Sequence, residues 1–267
     1  MGSAMSKAVD RPNHATASAI LTAVNEQQLA HLLPSLLAEF SSTDATEENA
    51  SSEGPLSLLD LDCGTGHNTL SLARLTRHWR APVQLEGWDR DGDNIEVATA
   101  RRRNLQWQNT NSSVTFSKAN HWKRLEIGHP GLKYFRHMYE FVLSALVMHR
   151  MPLDIFFKGI EGLLSRDSVA LITCVHSDFG VDEHSFDGSG SDESELRDEL
   201  RFRHYVQEVL NAAKRCGLTL QGAVKEVKLS TEVVERLEHS VRDEAKKWIG
   251  RKVWFSVVLR RVTDDKF

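Results

Sequence analysis

Leu29, Leu32, Leu33, Leu36, Leu37 and Phe40 recur at the spacing of one helical face. They predict a helical N-terminal arm over residues 1–40, with Asn25 as an N-cap and Pro34 as a kink or break. Residues 41–56, SSTDATEENASSEGPL, are small, polar and acidic without Lys or Arg, and read as an exposed linker. Apolar runs then alternate between strand and helix spacing. Strands are expected at Leu58–Leu61, Val83–Trp88, Val114–Ser117, Phe141–Val147, Val169–Val175, Leu218–Val224 and Val253–Val262. Helices are expected at Leu70–Leu75, Asn94–Trp107, Ile155–Leu164, Leu196–Cys216 and Thr231–Trp248, with Gly217 as the C′ residue of the fourth.

This alternation means βαβ units: an α/β fold around a mostly parallel, seven-stranded sheet with helices on both faces. The two closing strands are separated by a helix, or pair antiparallel at an edge. The domain is expected over 57–267, interrupted by an acidic loop at 176–199 that has many carboxylates and only Arg197 against them. That loop reads as a solvated connection or as a flap over a pocket, because it follows the carboxyl end of a strand.

Composition narrows the function. The chain has 267 residues, with 33 Lys and Arg against 37 Asp and Glu, a net charge of −4. That argues against a broadly basic protein held on nucleic acid by its phosphates. No apolar run approaches the length of a membrane span. The polar N-terminus lacks a secretory h-region, and its first residues read as an expression scar ahead of a native start at Met5. Cys63, Cys174 and Cys216 form no CxxC pair, which fits buried thiols in a reducing compartment. A cytoplasmic location is expected, with the nucleus as an alternative.

The chemistry concentrates in Leu58-Leu-Asp60-Leu-Asp62-Cys63-Gly64-Thr65-Gly66-His67-Asn68-Thr69. An apolar strand runs into a tight Gly-x-Gly turn that opens a helix, so backbone can approach a ligand at the helix N-terminus. A dinucleotide fingerprint wants Gly or Ala where Thr69 stands. Asp60, just before the turn, suits an ammonium group better than a pyrophosphate. Asp89 ends the next strand, where an acid accepts hydrogen bonds from ribose hydroxyls.

From these residues the sequence resembles the class I S-adenosylmethionine-dependent methyltransferases over roughly Leu56 to Leu220. Leu59 to Gly66 matches the first family motif, and Gly87-Trp88-Asp89 the second. Val114 to Asn120, Tyr139 to His149 and Leu163 to Ile172 resemble the third, fourth and fifth, in order. The resemblance implies S-adenosyl-L-methionine as cofactor. Asp60, Gly64 and Gly66, with Thr65 in the same turn, would hold its methionine end. Asp89 would bind the ribose and Arg90 flank the adenine. Asn120, where the family often has Asp, would accept from the adenine amine, with His121 beside it. Ser144 and Ala145 would lie beside the sulfonium. Asp62 stands where the family usually has Gly, so its carboxylate would crowd the ligand or meet its ammonium group.

The implied reaction is in-line transfer to an N, O or S nucleophile, with positioning and desolvation supplying much of the rate. A neutral acceptor must lose a proton, and His149, just past the fourth strand, is the expected general base, ahead of His121 and His176. The Pro-Pro-Tyr/Trp motif, a Pro-Cys dipeptide, the paired glutamates of arginine methyltransferases and a carboxylate metal cluster are all missing. The expectation is therefore a small-molecule acceptor, such as a secondary metabolite, with no metal. Two alternatives remain. One is a regulatory protein methyltransferase working in a complex, docked through the acidic loop. The other binds the cofactor without transferring methyl. By family analogy the N-terminal arm would cover the cofactor site.

Overall fold

The computed structural model describes residues 14–41, 54–104, 112–122, 138–179 and 203–261. The linker over 42–53 and the acidic loop beyond Phe179 lie outside the described residues, as does the expected continuation of one helix to Trp107.

Among the described residues, eight strands form one sheet: β1 (Leu56–Leu61), β2 (Val83–Asp89), β3 (Ser112–Lys118), β4 (Tyr139–Ala145), β5 (Leu164–Val175), β6 (Leu218–Leu220), β7 (Lys225–Lys228) and β8 (Lys252–Arg261). The order is β3-β2-β1-β4-β5-β8-β6, with β7 also paired to β8. β1 to β5 run parallel. β8 reverses direction against β5, and β6 and β7 pair antiparallel with β8. The closing strands thus pair antiparallel at the edge. The run expected over Leu218–Val224 is a strand only at β6, and β7 follows it as a further strand, with Gly222 turning the chain between them at φ +75°. Strand order reverses where β1 meets β4, and the carboxyl ends of these strands open the crevice in which ligands bind in such sheets.

The central strands are apolar on both faces because helices cover both sides. On one side, α4 (Leu153–Leu163) and α5 (Val206–Arg215) bury Phe156, Phe157, Ile160, Val209 and Ala212 against the sheet. On the other, α2 (His67–Thr76) and the second half of α1 (His14–Ser41) bring Leu72, Leu29, Leu33 and Leu37 onto Leu58, Leu85 and Phe141. The first half of α1 packs Ile20 and Val24 with Val233, Val234 and Trp248 of the C-terminal helical segment. α3 (Gly92–Asn104) lies over β2 and β3. Among the described residues, no helix is long and apolar enough to cross a membrane.

Four helical expectations need correction. α1 is one helix of 28 residues that runs through Pro34. Its buried leucines hold it on the sheet, so the loss of one N–H donor does not break it. Asn25 lies in mid-helix, buried, with its side chain bonded to β5 and β8, so it caps nothing. The expected helix over 231–248 is three pieces: α6 (Thr231–Arg236), α7 (His239–Ala245) and a 3-10 turn at Lys246–Trp248. The break falls at Leu237, whose backbone is extended and whose carbonyl accepts from the Arg242 guanidinium at 2.8 Å. Finally, α5 begins at Val206, not at Leu196: Tyr205 is extended, and its N–H donates to the Glu208 carboxylate at 3.2 Å. Gly217 closes α5 at φ +75°, as its position after the helix predicts.

Candidate functional site

The carboxyl ends of β1, β2 and β4 bring the acidic residues of the sequence motif together. Asp60 sits near the end of β1 in register with Gly87 of β2 and Leu143 of β4. Its side chain is only 1% exposed. Thr69, one turn into α2, donates from Oγ1 to Asp60 Oδ2 at 2.6 Å. Burial pushes the Asp60 carboxyl up to about 7, outweighing the Thr69 hydrogen bonds that favour its charged form. The neighbouring carboxylates Asp62 and Asp89 push the same way. A cation brought here meets a carboxylate that gains by ionising against it.

The chain then turns sharply. Asp62 is left-handed at φ +56°, a conformation glycine takes freely and Asp tolerates better than most side chains. This explains how Asp stands where the resemblance leads one to expect Gly. Its carboxylate is held aside: Trp122 Nε1 donates to Asp62 Oδ2 at 2.8 Å, and the Trp122 ring stacks on Phe156 of α4 at 5.3 Å between centroids. Burial raises the Asp62 carboxyl, while the Trp122 hydrogen bond and the positive charges of Arg150 and Arg90 oppose the rise.

Gly64 and Gly66 need their missing side chains for different reasons. Gly64, at φ +54°, faces open space, so backbone is presented without obstruction. Gly66, at φ +79°, begins α2 as its N-cap. A Cβ on Gly66 would fall 2.8 Å from both the Ala98 Cβ and the Phe116 ring. Thr65 turns away from the acids, its hydroxyl and carbonyl both accepting from Arg101 on α3. Beside that contact, a groove of about 310 Å³ between α2 and α3 is lined by His67, Leu70, Arg74, Arg101 and Asn104. It is separate from the acidic cluster.

Asp89 closes the cluster from β2. Its Oδ2 accepts from the Gly64 N–H at 2.7 Å, and its Oδ1 from the Asp91 N–H at 2.8 Å and Asn94 Nδ2 at 3.4 Å. Arg90 and Asn120 are exposed beside it, after β2 and β3. His121 turns inward: it is buried against Trp88 and Trp122, with Nε2 3.4 Å from the Gly159 carbonyl of α4.

From β4, Ser144 lies in register with Leu61 and Ile172. Its Oγ is fully buried and, among the described residues, has no hydrogen-bond partner. Ala145 follows, partly exposed. Leu146 then adopts φ +59°, costing about 1–2 kcal/mol for a residue with a branched side chain. A 3-10 turn at Met148–Arg150 carries His149, which is 6% exposed. His204, ahead of α5, donates Nε2–H to the carbonyls of Met148 and Met151 at 3.2 and 3.1 Å and brackets that turn. Burial holds the His204 imidazole below its ordinary pKa, consistent with a neutral ring. His176, at the end of β5, has both ring nitrogens engaged. Nε2 is 2.7 Å from Glu226 Oε1, and Nδ1 accepts from the Asp178 N–H at 3.0 Å.

Sequence reasoning missed Thr69, Trp122, Arg150 and Asn94 as parts of this cluster. Thr69 carried a signal: a hydroxyl at the first turn of the helix after the glycines is within reach of a strand acid. Trp122, Arg150 and Asn94 had none, because each reaches the cluster from another element.

No family model matches the chain. An uncharacterised methyltransferase of Emericella nidulans is 28% identical, with 89% of this chain and 83% of that one covered. Many solved structures share the fold. The [4+2]-cyclase SpnF aligns with a TM-score of 0.56 at 18% identity, over 89% of this chain and 84% of its own. An S-adenosylmethionine-dependent methyltransferase from Mesorhizobium loti aligns with a TM-score of 0.54 at 17% identity, over 82% of this chain and 99% of its own.

Proposed function

We propose that this chain is a class I, Rossmann-like S-adenosylmethionine-dependent methyltransferase whose acceptor is a small molecule, such as a secondary metabolite, methylated on N, O or S. The observation that carries the reading is the gathering of Asp60 and Asp89 at the glycine turn, with the Gly64 N–H donating to Asp89, at the point where strand order reverses. The residues present fit the cofactor on three counts. Gly64 leaves open space at the turn. Asp60 is a buried carboxylate that a cation would hold in its charged form. Ser144 offers a buried hydroxyl that needs a partner.

The cofactor supplies a methyl group made electrophilic by its sulfonium. In this reading, Asp60 takes the ammonium end, and the backbone at Gly64, Thr65 and Gly66 lines the approach. Asp62 adds negative charge nearby while Trp122 keeps its carboxylate aside. Asp89 accepts from the ribose hydroxyls with the lone pairs that Gly64, Asp91 and Asn94 leave. Arg90 flanks the adenine, and Asn120 accepts from its amine. His121 supports this side from below, through the packing of Trp88 and Trp122. Ser144 and Ala145 sit beside the reacting centre and exclude water from it. His149 takes the proton of a neutral acceptor at one of its ring nitrogens, on a turn that His204 fixes. His176 is tied to Glu226 and serves as structure. A protein partner docking through the acidic loop stays a reading of the sequence alone.

The cyclase likeness favours one other reading: this fold hosts chemistry besides methyl transfer. A screen with radiolabelled S-adenosylmethionine against metabolite extracts and protein lysate separates the readings. Label in the low-mass fraction is the expected result. Label in protein would make this a protein methyltransferase, and cofactor binding without any label would support the other chemistry.

A further inference from the structure

The N-terminal helix sends one polar side chain into the sheet, and its contacts lead to the turn beside the proposed cofactor site. Asn25 is 5% exposed in the middle of α1. Its Oδ1 accepts from Thr173 Oγ1 of β5 at 2.8 Å and from Trp254 Nε1 of β8 at 3.1 Å. The same Thr173 hydroxyl accepts from the Leu146 N–H at 3.2 Å, which also meets the Thr173 carbonyl at 3.0 Å. Thr173 is in register with Ala145. Leu146 is left-handed and lies two residues before the turn that carries His149.

A buried amide oxygen receiving two donors from different strands leaves each donor unsatisfied if it is removed. Packing alone would be served by an apolar residue at position 25, since Ile20, Leu21 and Val24 around it already pack. The amide adds direction. With its oxygen taking the Thr173 proton, the hydroxyl's lone pairs are left to face the Leu146 N–H. That contact, together with the bond from the same N–H to the Thr173 carbonyl, holds an unfavourable backbone conformation at the exit of β4. We propose that Asn25 is a positioning residue: through Thr173 it fixes the Ala145–Leu146 backbone in the geometry that receives the cofactor. This rests on the cofactor reading given above.

The test uses the full chain carrying Asn25→Leu, Thr173→Val, both together, or Thr173→Ser. Hydrogen exchange in the ligand-free protein reads the network without the cofactor. The Leu146 amide is expected to exchange about tenfold faster in Asn25→Leu and Thr173→Val, with Thr173→Ser near wild type. Titration with S-adenosylhomocysteine is expected to show about tenfold weaker binding in the same two variants, and no further loss in the double variant, because both break one chain of bonds. A merely structural Asn25 would lower the melting temperature yet leave the affinity of the folded protein unchanged, and that result would overturn the proposal. So would additive losses, or unchanged Leu146 protection. If Asn25→Leu does not fold, the Thr173→Val and Thr173→Ser pair decides the same question. If wild type binds no S-adenosylhomocysteine, the cofactor reading fails, while the exchange arm still reports whether Asn25 controls Leu146.

Discussion

Thr69 Oγ1 donates to Asp60 Oδ2 at 2.6 Å, joining the first turn of α2 to the end of β1 with both side chains out of water. The bond orients a carboxyl that burial pushes up to about 7. Asp60 is thereby ready to ionise against a cation and costly to ionise without one.

Ligand-free stability should follow that cost. The folded carboxyl titrates at about 7 against 3.8 ordinarily. Between those values the folded state holds a proton that the unfolded chain releases, so stability falls as pH rises through the window and levels off above it. Asp60→Asn removes this loss. It should match wild type near about pH 4 and exceed it by a few kcal/mol above about pH 8, read by urea unfolding. Parallel stability curves for the two proteins would show that Asp60 is not buried as described.

Asp89 receives three donors, the Gly64 N–H among them. Asp89→Ala strips a charged acceptor from the turn and from the position proposed for the ribose. Affinity for S-adenosylhomocysteine should drop about 10- to 100-fold, by the worth of hydrogen bonds to a charged group. Calorimetry giving unchanged affinity would refute the ribose contact.

At Asp62 the direction depends on what replaces the carboxylate. Asn keeps an acceptor for Trp122 Nε1, tolerates φ +56° and carries no buried charge. Ala leaves the Trp122 N–H unsatisfied and strains the backbone. Asp62→Asn should therefore melt at or above the wild-type temperature near pH 8, and Asp62→Ala should lose about 2–4 kcal/mol. Equal melting of the two variants would remove Trp122 from the account.

Gly66→Ala places a Cβ 2.8 Å from Ala98 and the Phe116 ring at a left-handed φ of +79°. A loss of about 2–5 kcal/mol is expected from the strain and overpacking together. Phe116→Leu should recover part of it by clearing the ring. No recovery in the double variant would assign the whole cost to the backbone.

The alternation of strands and helices and the glycine turn were legible because local signals agree there: an apolar strand, two glycines and a helix start within about a dozen residues, then an acid one βαβ unit later. Asn25 was misread because a polar residue ahead of an apolar stripe has the local signature of a cap. Its partners Thr173 and Trp254 lie far along the chain. Pro34 was misread for a related reason: the propensity is local, whereas the packing of Leu29, Leu33 and Leu37 on the sheet is not. The break at Leu237 depends on the Arg242 guanidinium reaching back to a carbonyl, which apolar periodicity does not register.

Calorimetric titration of the full chain with S-adenosylhomocysteine tests the central claim most directly. The expected result is saturable one-to-one binding in the micromolar range. Binding should tighten as pH rises from about 6 to about 8, with proton release below about 7 as Asp60 ionises against the ligand's ammonium. No heat of binding at millimolar ligand would contradict the account.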